Sequence, residues 1–353
     1  MINNNEKILE LKEAIIKVVA FFDLFDYPLT LNEIWQNMSV KRELFEVMAA
    51  LEEMIKSPLT PPTKAGAIEK QNGFYFLAGR SAIIAERQRR YNFADRKFKR
   101  AMLASKIFKF IPWIKMIAVG NLLGAHNLKD SSDIDFFIIT EDKRIWLTRF
   151  FCASITKLLG LRPRVDNSRD KICLSFYVSE RAMNLSGLML KNYPAAVSEE
   201  EQISLDSRLR GNDKKGYGND IYFIYWLAGL TPIYDIGGVY EKLMAANSWL
   251  KNYLPNWPAL TEAPAGKQPG PWSKRRDVGG SLPRFYRDVI DLFIGGLEPQ
   301  FKTLQLKLLP PQLKEMMYHD SRVVINDSIL KLHANDRREE YREKYLSKIG
   351  QLR

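Results

Sequence analysis

Two aspartates one residue apart, Asp133 and Asp135, head an apolar run that reads "DIDFFIIT". A carboxylate is a costly choice for a strand destined for a core, because an unpaired buried charge costs several kcal/mol. Side chains alternate along a strand, so Asp133, Asp135 and Phe137 share one face while Ile134, Phe136 and Ile138 share the other. The two carboxylates therefore project together, and like charges that close repel unless a cation lies between them. Mg²⁺ is the natural one, since it favours carboxylate oxygens and keeps positions free for water and substrate phosphates; Mn²⁺ takes similar ligands. In phosphoryl chemistry such ions activate the attacking oxygen and neutralise charge on the leaving pyrophosphate.

The elements around this pair are those that phosphate chemistry needs. Gly120 and Asn121 follow the apolar stretch "MIAV" and precede Asp133 by a short turn-and-helix segment, residues 120–129. A glycine there lets backbone approach a phosphate closely, and the N-terminus of a following helix offers free N–H groups. The pattern predicts strands at 115–119, 133–139 and 172–178, with a helix over 143–159 between the last two. Arg144 and Arg149 fall on that helix, from which a guanidinium could reach a triphosphate; as helix-surface residues they are equally ordinary.

This order of strand, Gly-polar turn, helix and Asp-x-Asp strand, written here as "VGN…SDIDFF", resembles the polymerase-β-like nucleotidyltransferase superfamily. Most of the chain is also similar to a bacterial group that joins an N-terminal winged helix to such a domain, through the blocks "DIDFFIIT", "KICLSFY", "NSWLKNYLPN" and "LKLHANDRR". The resemblance implies an α/β (α+β) fold, with a nucleotidyltransferase-type mixed sheet flanked by helices. It implies catalytic and metal-ligating roles for Asp133 and Asp135, and nucleotide binding by Gly120, Asn121, Ser132 and Arg149. The reaction implied is Mg²⁺-dependent transfer of a nucleoside monophosphate from an NTP to a hydroxyl on a nucleic acid, protein or small molecule. Two positions depart from the superfamily pattern. Asn121 stands where a small hydroxyl residue is usual, and Ser175 stands where a later strand usually brings a third carboxylate. Asp166 and Asp170 precede that strand and are the available substitutes. The alternative is therefore a catalytically degenerate nucleotide- or DNA-binding regulator.

The rest of the chain divides by pattern. Residues 1–79 read as three helices (7–25, 31–37, 41–56) and a hairpin turning on Asn72-Gly73, the order of a winged helix. Thr30 and Glu33 match a capping box. The third helix is not strongly basic, which favours a structural or protein-contact module over entry into a DNA groove. Residues 80–110 read as a basic linker helix with a solvated charged face. Residues 111–200 hold the nucleotidyltransferase-like domain, 201–219 a surface insertion, and 220–353 a mainly helical region with a mobile Pro- and Gly-rich loop near 259–281. Within the insertion, residues 203–215 resemble the peptide encoded by an interspersed repeat. "DIYFIYWLAGL" reads as core, His126 as a surface histidine, and the cluster from His333 to Arg338 as a helix start.

Composition sets the outer bounds. The chain has 353 residues, 46% hydrophobic and 27% charged, which is ample for a folded core. Its net charge of +12 favours acidic partners such as nucleotides or nucleic acid, although the basic residues are spread along the chain. Two cysteines and three scattered histidines form no disulfide framework and no spaced metal motif. A polar start, and no run near the ~20 apolar residues that cross a bilayer, point to a cytoplasmic protein with no membrane partner.

Overall fold

Asn72 and Gly73 adopt φ angles of 52° and 80°. This tight turn folds β1 (Ile68–Gln71) back on β2 (Phe74–Leu77). Leu29 bridges Tyr75 on the open side of β2. The hairpin follows three helices: α1 (Asn4–Asp23), α2 (Leu31–Gln36) and α3 (Leu44–Lys56). The capping box at the head of α2 is formed, with the Thr30 N–H donating to Glu33 at 2.8 Å and the Glu33 N–H donating to Thr30 Oγ1 at 3.3 Å. The computed structural model describes residues 4–56, 68–120, 127–164, 166–190, 217–257, 284–317 and 321–352. The insertion at 203–215 and the loop at 259–281 lie outside the described residues.

The basic segment forms one helix, α4 (Ile83–Phe108), with Arg89, Lys99, Arg100 and Lys106 on a solvated face but other charges buried. Arg87 and Arg90 are each 3% exposed and Lys97 is fully buried. Arg87 grips both oxygens of Glu33 at 2.8 Å, and Arg90 donates to the Phe25 carbonyl at 2.7 Å. Lys97 donates to the Asp170 carboxylate at 2.8 Å and to the Asp130 and Ser132 carbonyls. Burying a cation is tolerable only when it is paired and its donors are filled. Here the partners come from the N-terminal module at one end of α4 and from the loops that precede β4 (Ile134–Thr140) and β5 (Ile172–Ser179) at the other. The helix is thus a strut between two modules as well as a charged surface.

Six strands form one mixed sheet in the order β6-β3-β4-β5-β8-β7. They are β3 (Ile114–Val119), β4 (Ile134–Thr140), β5 (Ile172–Ser179), β6 (Thr231–Asp235), β7 (Val323–Ile325) and β8 (Ile329–Leu332). Only β4 and β5 run parallel; every other neighbouring pair is antiparallel. The parallel pair is joined through α5 (Ile145–Leu158), as a crossover requires. The described helices that follow are α6 (Tyr217–Ala228), α7 (Val239–Ala246), α8 (Arg284–Ile294), α9 (Glu298–Lys307), α10 (Pro311–Glu315) and α11 (Arg338–Leu352).

The described C-terminal region is helical for most of its length, yet its β6, β7 and β8 supply both edges of the sheet. Segments of three to five residues are too short to display a period of two. Lys331 in the middle of β8 hides that strand further.

Each sheet face has its own core. Met116, Ala118, Phe137, Ile139, Phe176 and Val178 join a cluster that contains Ile221 and Leu227 of α6 and continues to Ile15, Val47 and Tyr75 of the N-terminal module. Ile117, Ile134, Phe136, Ile138 and Tyr177 pack on the opposite side with Phe98 of α4 and Leu147 and Cys152 of α5. The N-terminal module and the sheet therefore share one apolar core. Among the described residues, no helix is long and apolar enough to cross a membrane.

Candidate functional site

The end of β3 and the start of β4 bring Gly120 and Asp135 together, the Gly120 N–H donating to the Asp135 carbonyl at 2.9 Å. A side chain at Gly120 would place its Cβ 3.2 Å from Nε1 of Trp226 on α6. The indole lies against the backbone there, so a larger residue fits only if Trp226 gives way by a few tenths of an ångström. Asp133 and Asp135 emerge on one face, as strand alternation requires. Cys173 on β5 is the registered neighbour of Asp135. Ligand atoms of Asp133, Asp135 and Cys173 all lie within 4.8 Å of one another.

A bulge shapes the wall beside them. Asp135 pairs with Cys173 but Phe137 pairs with Phe176, so β5 uses one more residue than β4 over the same span. Ser175 and Phe176 consequently both line a cavity of about 230 Å³ that also reaches Gly120 and Asp135. Tyr222, Phe223 and Trp226 of α6 form one wall, and His333, Asp336, Arg337, Arg338 and Tyr341 another. The aromatic groups are stacked in order: Trp226 lies between Phe176 and Phe223, at 5.3 and 5.4 Å, and Tyr222 stacks on Tyr341 at 5.2 Å.

Electrostatics mark the carboxylates as unsettled. Burial, then the neighbouring Asp133, pushes the Asp135 carboxyl up to about 7, with a bond from Cys173 opposing. Burial also raises Asp133, while buried Lys97 pulls it down. Burial and the two aspartates hold the Cys173 thiol well above its ordinary value. Its S–H donates to Ser175 Oγ at 3.2 Å, and Ser175 Oγ lies 2.9 Å from His333 Nε2. Burial, then Lys331, presses His333 down to about 4, so the ring is neutral at pH 7. Its Nδ1 is shielded from solvent and has no hydrogen-bond partner among the described residues.

Beneath the cavity lies a neutral network of four charges. Arg338 donates to Asp220 at 2.6 Å and to Asp336 at 2.9 Å, and Lys331 donates to Asp336 at 2.6 Å. Arg338 also reaches the Leu188 carbonyl at 3.0 Å and Ser321 Oγ at 2.8 Å. Burial lowers Lys331 to about 8; it works the other way on Asp336, which Lys331 and Arg338 nonetheless hold at about 2. Arg337 at the rim is bound to Glu340 through two bonds of 2.6 Å.

The structure brings Gly120, Asp133 and Asp135 together and leaves other expected residues elsewhere. Ser132 turns its hydroxyl to the Lys129 carbonyl at 2.9 Å and so closes a turn rather than facing the cavity. Arg149 is displaced to the opposite face of the sheet. It donates to Gln305 of α9 at 2.6 Å, beside Cys152 and Tyr177, because α5 packs on the side away from the carboxylates. Arg144 pairs with Asp291 of α8 at 2.5 Å. Asp170 is taken by Lys97 and Arg96, and Asp166 is exposed. Neither is a third carboxylate in the cluster, a place that Cys173 fills. Asn121 and His126 lie outside the described residues.

The cavity's other half was hidden in the sequence. The cluster from His333 to Arg338 does precede a helix, and Asp336 accepts the Arg338 N–H at 3.1 Å, yet it also forms a wall. Within "DIYFIYWLAGL", Ile221, Ile224 and Leu227 are core, while Tyr222 and Trp226 face the cavity. A dense group of polar side chains beside a short apolar run was the available signal. Compared with protein-family models, with curated proteins and with solved structures, the chain finds no match.

Proposed function

We propose that the protein is a divalent-cation-dependent nucleotidyltransferase-like protein that binds an NTP between the Gly120 turn and the Asp133/Asp135 pair. The observation that carries this reading is the shared projection of two part-buried carboxylates, one of which, Asp135, lines a cavity and is pushed up to about 7 by burial and by Asp133. Such a donor set fits a divalent cation such as Mg²⁺ or Mn²⁺, held by Asp133 and Asp135. Bound there, the cation supplies charge neutralisation on the phosphates and the leaving pyrophosphate. Gly120, bonded to the Asp135 carbonyl and packed against Trp226, sets the backbone beside the carboxylates. The aromatic wall of Tyr222, Trp226 and Tyr341 offers faces against which a base can stack. The acceptor hydroxyl enters from the side of His333 and Arg337. A nucleoside monophosphate is the group transferred.

The second reading, binding without transfer, is favoured by one observation. Ser175, hydrogen-bonded to His333, occupies the strand where a third carboxylate would assist the acceptor hydroxyl. General-base help is worth about 10²–10⁴-fold, so its loss leaves nucleotide binding with little turnover. A DNA-binding role for the winged-helix-like N-terminal module draws little support, because the exposed residues of α3 are Phe45, Met48, Ala49, Glu52, Glu53 and Lys56. One positive side chain against two negative ones makes a poor phosphate contact.

The test is incubation with each radiolabelled NTP, Mg²⁺ or Mn²⁺, and crude RNA and protein acceptors. Label transfer by the wild type that disappears in Asp133→Asn/Asp135→Asn supports the transferase. Saturable NTP binding without transfer supports the binding protein. Neither transfer nor binding with any of the four NTPs rejects both.

A further inference from the structure

The third member of the carboxylate cluster is a thiol. Every ordinary oxygen-only site for Mg²⁺ lacks sulfur, because a small hard cation gains little from a thiolate. Here Cys173 sits on the strand paired to β4, in register with Asp135, and its Sγ falls within 4.8 Å of an oxygen of each aspartate. Bonds of about 2.0–2.3 Å place two ligand atoms roughly 3.3–4.3 Å apart across a cation, so side-chain rotation alone closes the site. All three side chains are part-buried, which leaves room for that rotation.

The surroundings of the thiol suit ligation. Ser175 Oγ, 3.2 Å from Cys173 Sγ, accepts from the thiol, and a hydroxyl rotates equally well to donate to a thiolate. His333 Nε2 lies 2.9 Å behind that hydroxyl and completes the support. A group hydrogen-bonded behind a metal ligand orients it and tunes its basicity. An independent observation also points to a ligand in this cavity. His333 Nδ1 lies shielded from solvent with no partner among the described residues, in a ring that lines the cavity onto which Asp135 opens.

We infer that Cys173 is the third ligand of a mixed carboxylate–thiolate site, and that this site selects a thiophilic divalent cation of the Zn²⁺ class over Mg²⁺. The inference rests on the reading of Asp133 and Asp135 as cation ligands and adds the donor that sets metal preference. Of the three donors, Asp135 lines the cavity. The other cysteine, Cys152, is fully buried on the opposite face of the sheet and belongs to the α5 core.

Co²⁺ is the probe, because a thiolate bonded to it gives a near-ultraviolet charge-transfer band that carboxylates do not. The full-length protein is titrated with Co²⁺, then with Zn²⁺ and Mg²⁺ as competitors, alongside Cys173→Ser, Cys152→Ser and Asp133→Asn/Asp135→Asn. The expected result is a saturable band in wild type and Cys152→Ser, displaced by Zn²⁺ and not by equimolar Mg²⁺. Cys173→Ser loses the band and binds Zn²⁺ more weakly by at least the roughly 10–100-fold that removing a ligand's supporting partner costs. Saturable Co²⁺ binding that requires the aspartates but shows no band, with Cys173→Ser binding as tightly as wild type, overturns the thiolate and leaves the carboxylate site standing. No Co²⁺ binding that depends on Asp133 and Asp135 overturns both. Circular dichroism of each variant confirms that a lost band reports the ligand and not the fold.

Discussion

Arg338 is the side chain whose removal tests most sharply how the cavity is held. It is 4% exposed and is the cation bonded to Asp220, which is itself 1% exposed. Without Arg338, Asp220 retains the Leu190 N–H at 2.8 Å and the Phe223 N–H at 3.2 Å, but no counter-charge at bonding distance. Asp336 still has Lys331 at 2.6 Å. The uncompensated charge is therefore Asp220, and breaking a buried pair from one side costs about 3–5 kcal/mol. Arg338→Met, which keeps the apolar stem, should lose that amount in urea unfolding at pH 7. Asp220 already has its carboxyl raised by burial, against the pull of Arg338, and would be raised further without it. A carboxyl whose folded value lies above its unfolded value is relieved by protonation, so the deficit should shrink as pH falls toward 5. Adding Asp220→Asn removes the stranded charge, and the double variant should recover about 1–3 kcal/mol relative to the sum of the single ones. A loss under about 1 kcal/mol, or costs that simply add, would refute the claim that this network supports the floor of the cavity.

Other expectations follow from the same geometry. Gly120→Ala should destabilise by about 1–3 kcal/mol, as overpacking does, because Trp226 is held between Phe176 and Phe223 and has little freedom to retreat; unchanged unfolding would show that the indole yields. In chelator, Asp135 binds its proton more tightly folded than unfolded, so its contribution is complete below about pH 4 and is lost as pH rises toward 7. Asp135→Asn should flatten that part of the stability–pH curve, and an unaltered slope would contradict the assignment. His333, lowered to about 4, has the opposite sign: its contribution is present above its ordinary value near 6.5 and is lost as pH falls to about 4. Its ring resonances should show no titration between pH 6 and 8. Finally, the core shared by the N-terminal module and the sheet predicts one cooperative unfolding transition, and two separated transitions would show that the modules fold apart.

How much of this was legible in the sequence depends on distance along the chain. The Thr30–Glu33 cap, the Asn72-Gly73 turn and the face shared by Asp133 and Asp135 are local matters of backbone geometry, and all three stand in the structure. The pairing of Ser175 with His333 spans 158 residues and depends on β8 lying beside β5, which no local pattern announces. Arg87, Arg90 and Lys97 look like surface charges because the acceptors that permit their burial, Glu33, Phe25 and Asp170, come from other segments. Arg149 looked like a phosphate ligand by nearness to Asp135 in sequence. The crossover from β4 to β5 carries its helix to the opposite face, so nearness along the chain became separation across the sheet. Cys173 was legible as a residue but not as a neighbour, since only strand register puts it beside Asp135.

The account as a whole turns on a cation held between Asp133 and Asp135, and Mn²⁺ tests that directly because carboxylates take it whatever the third donor. Electron paramagnetic resonance of free Mn²⁺, titrated with the protein, should show one ion removed from solution per chain, and none removed by Asp133→Asn/Asp135→Asn. Mn²⁺ that stays free in the presence of wild-type protein, or is bound equally by the double variant, would contradict the account.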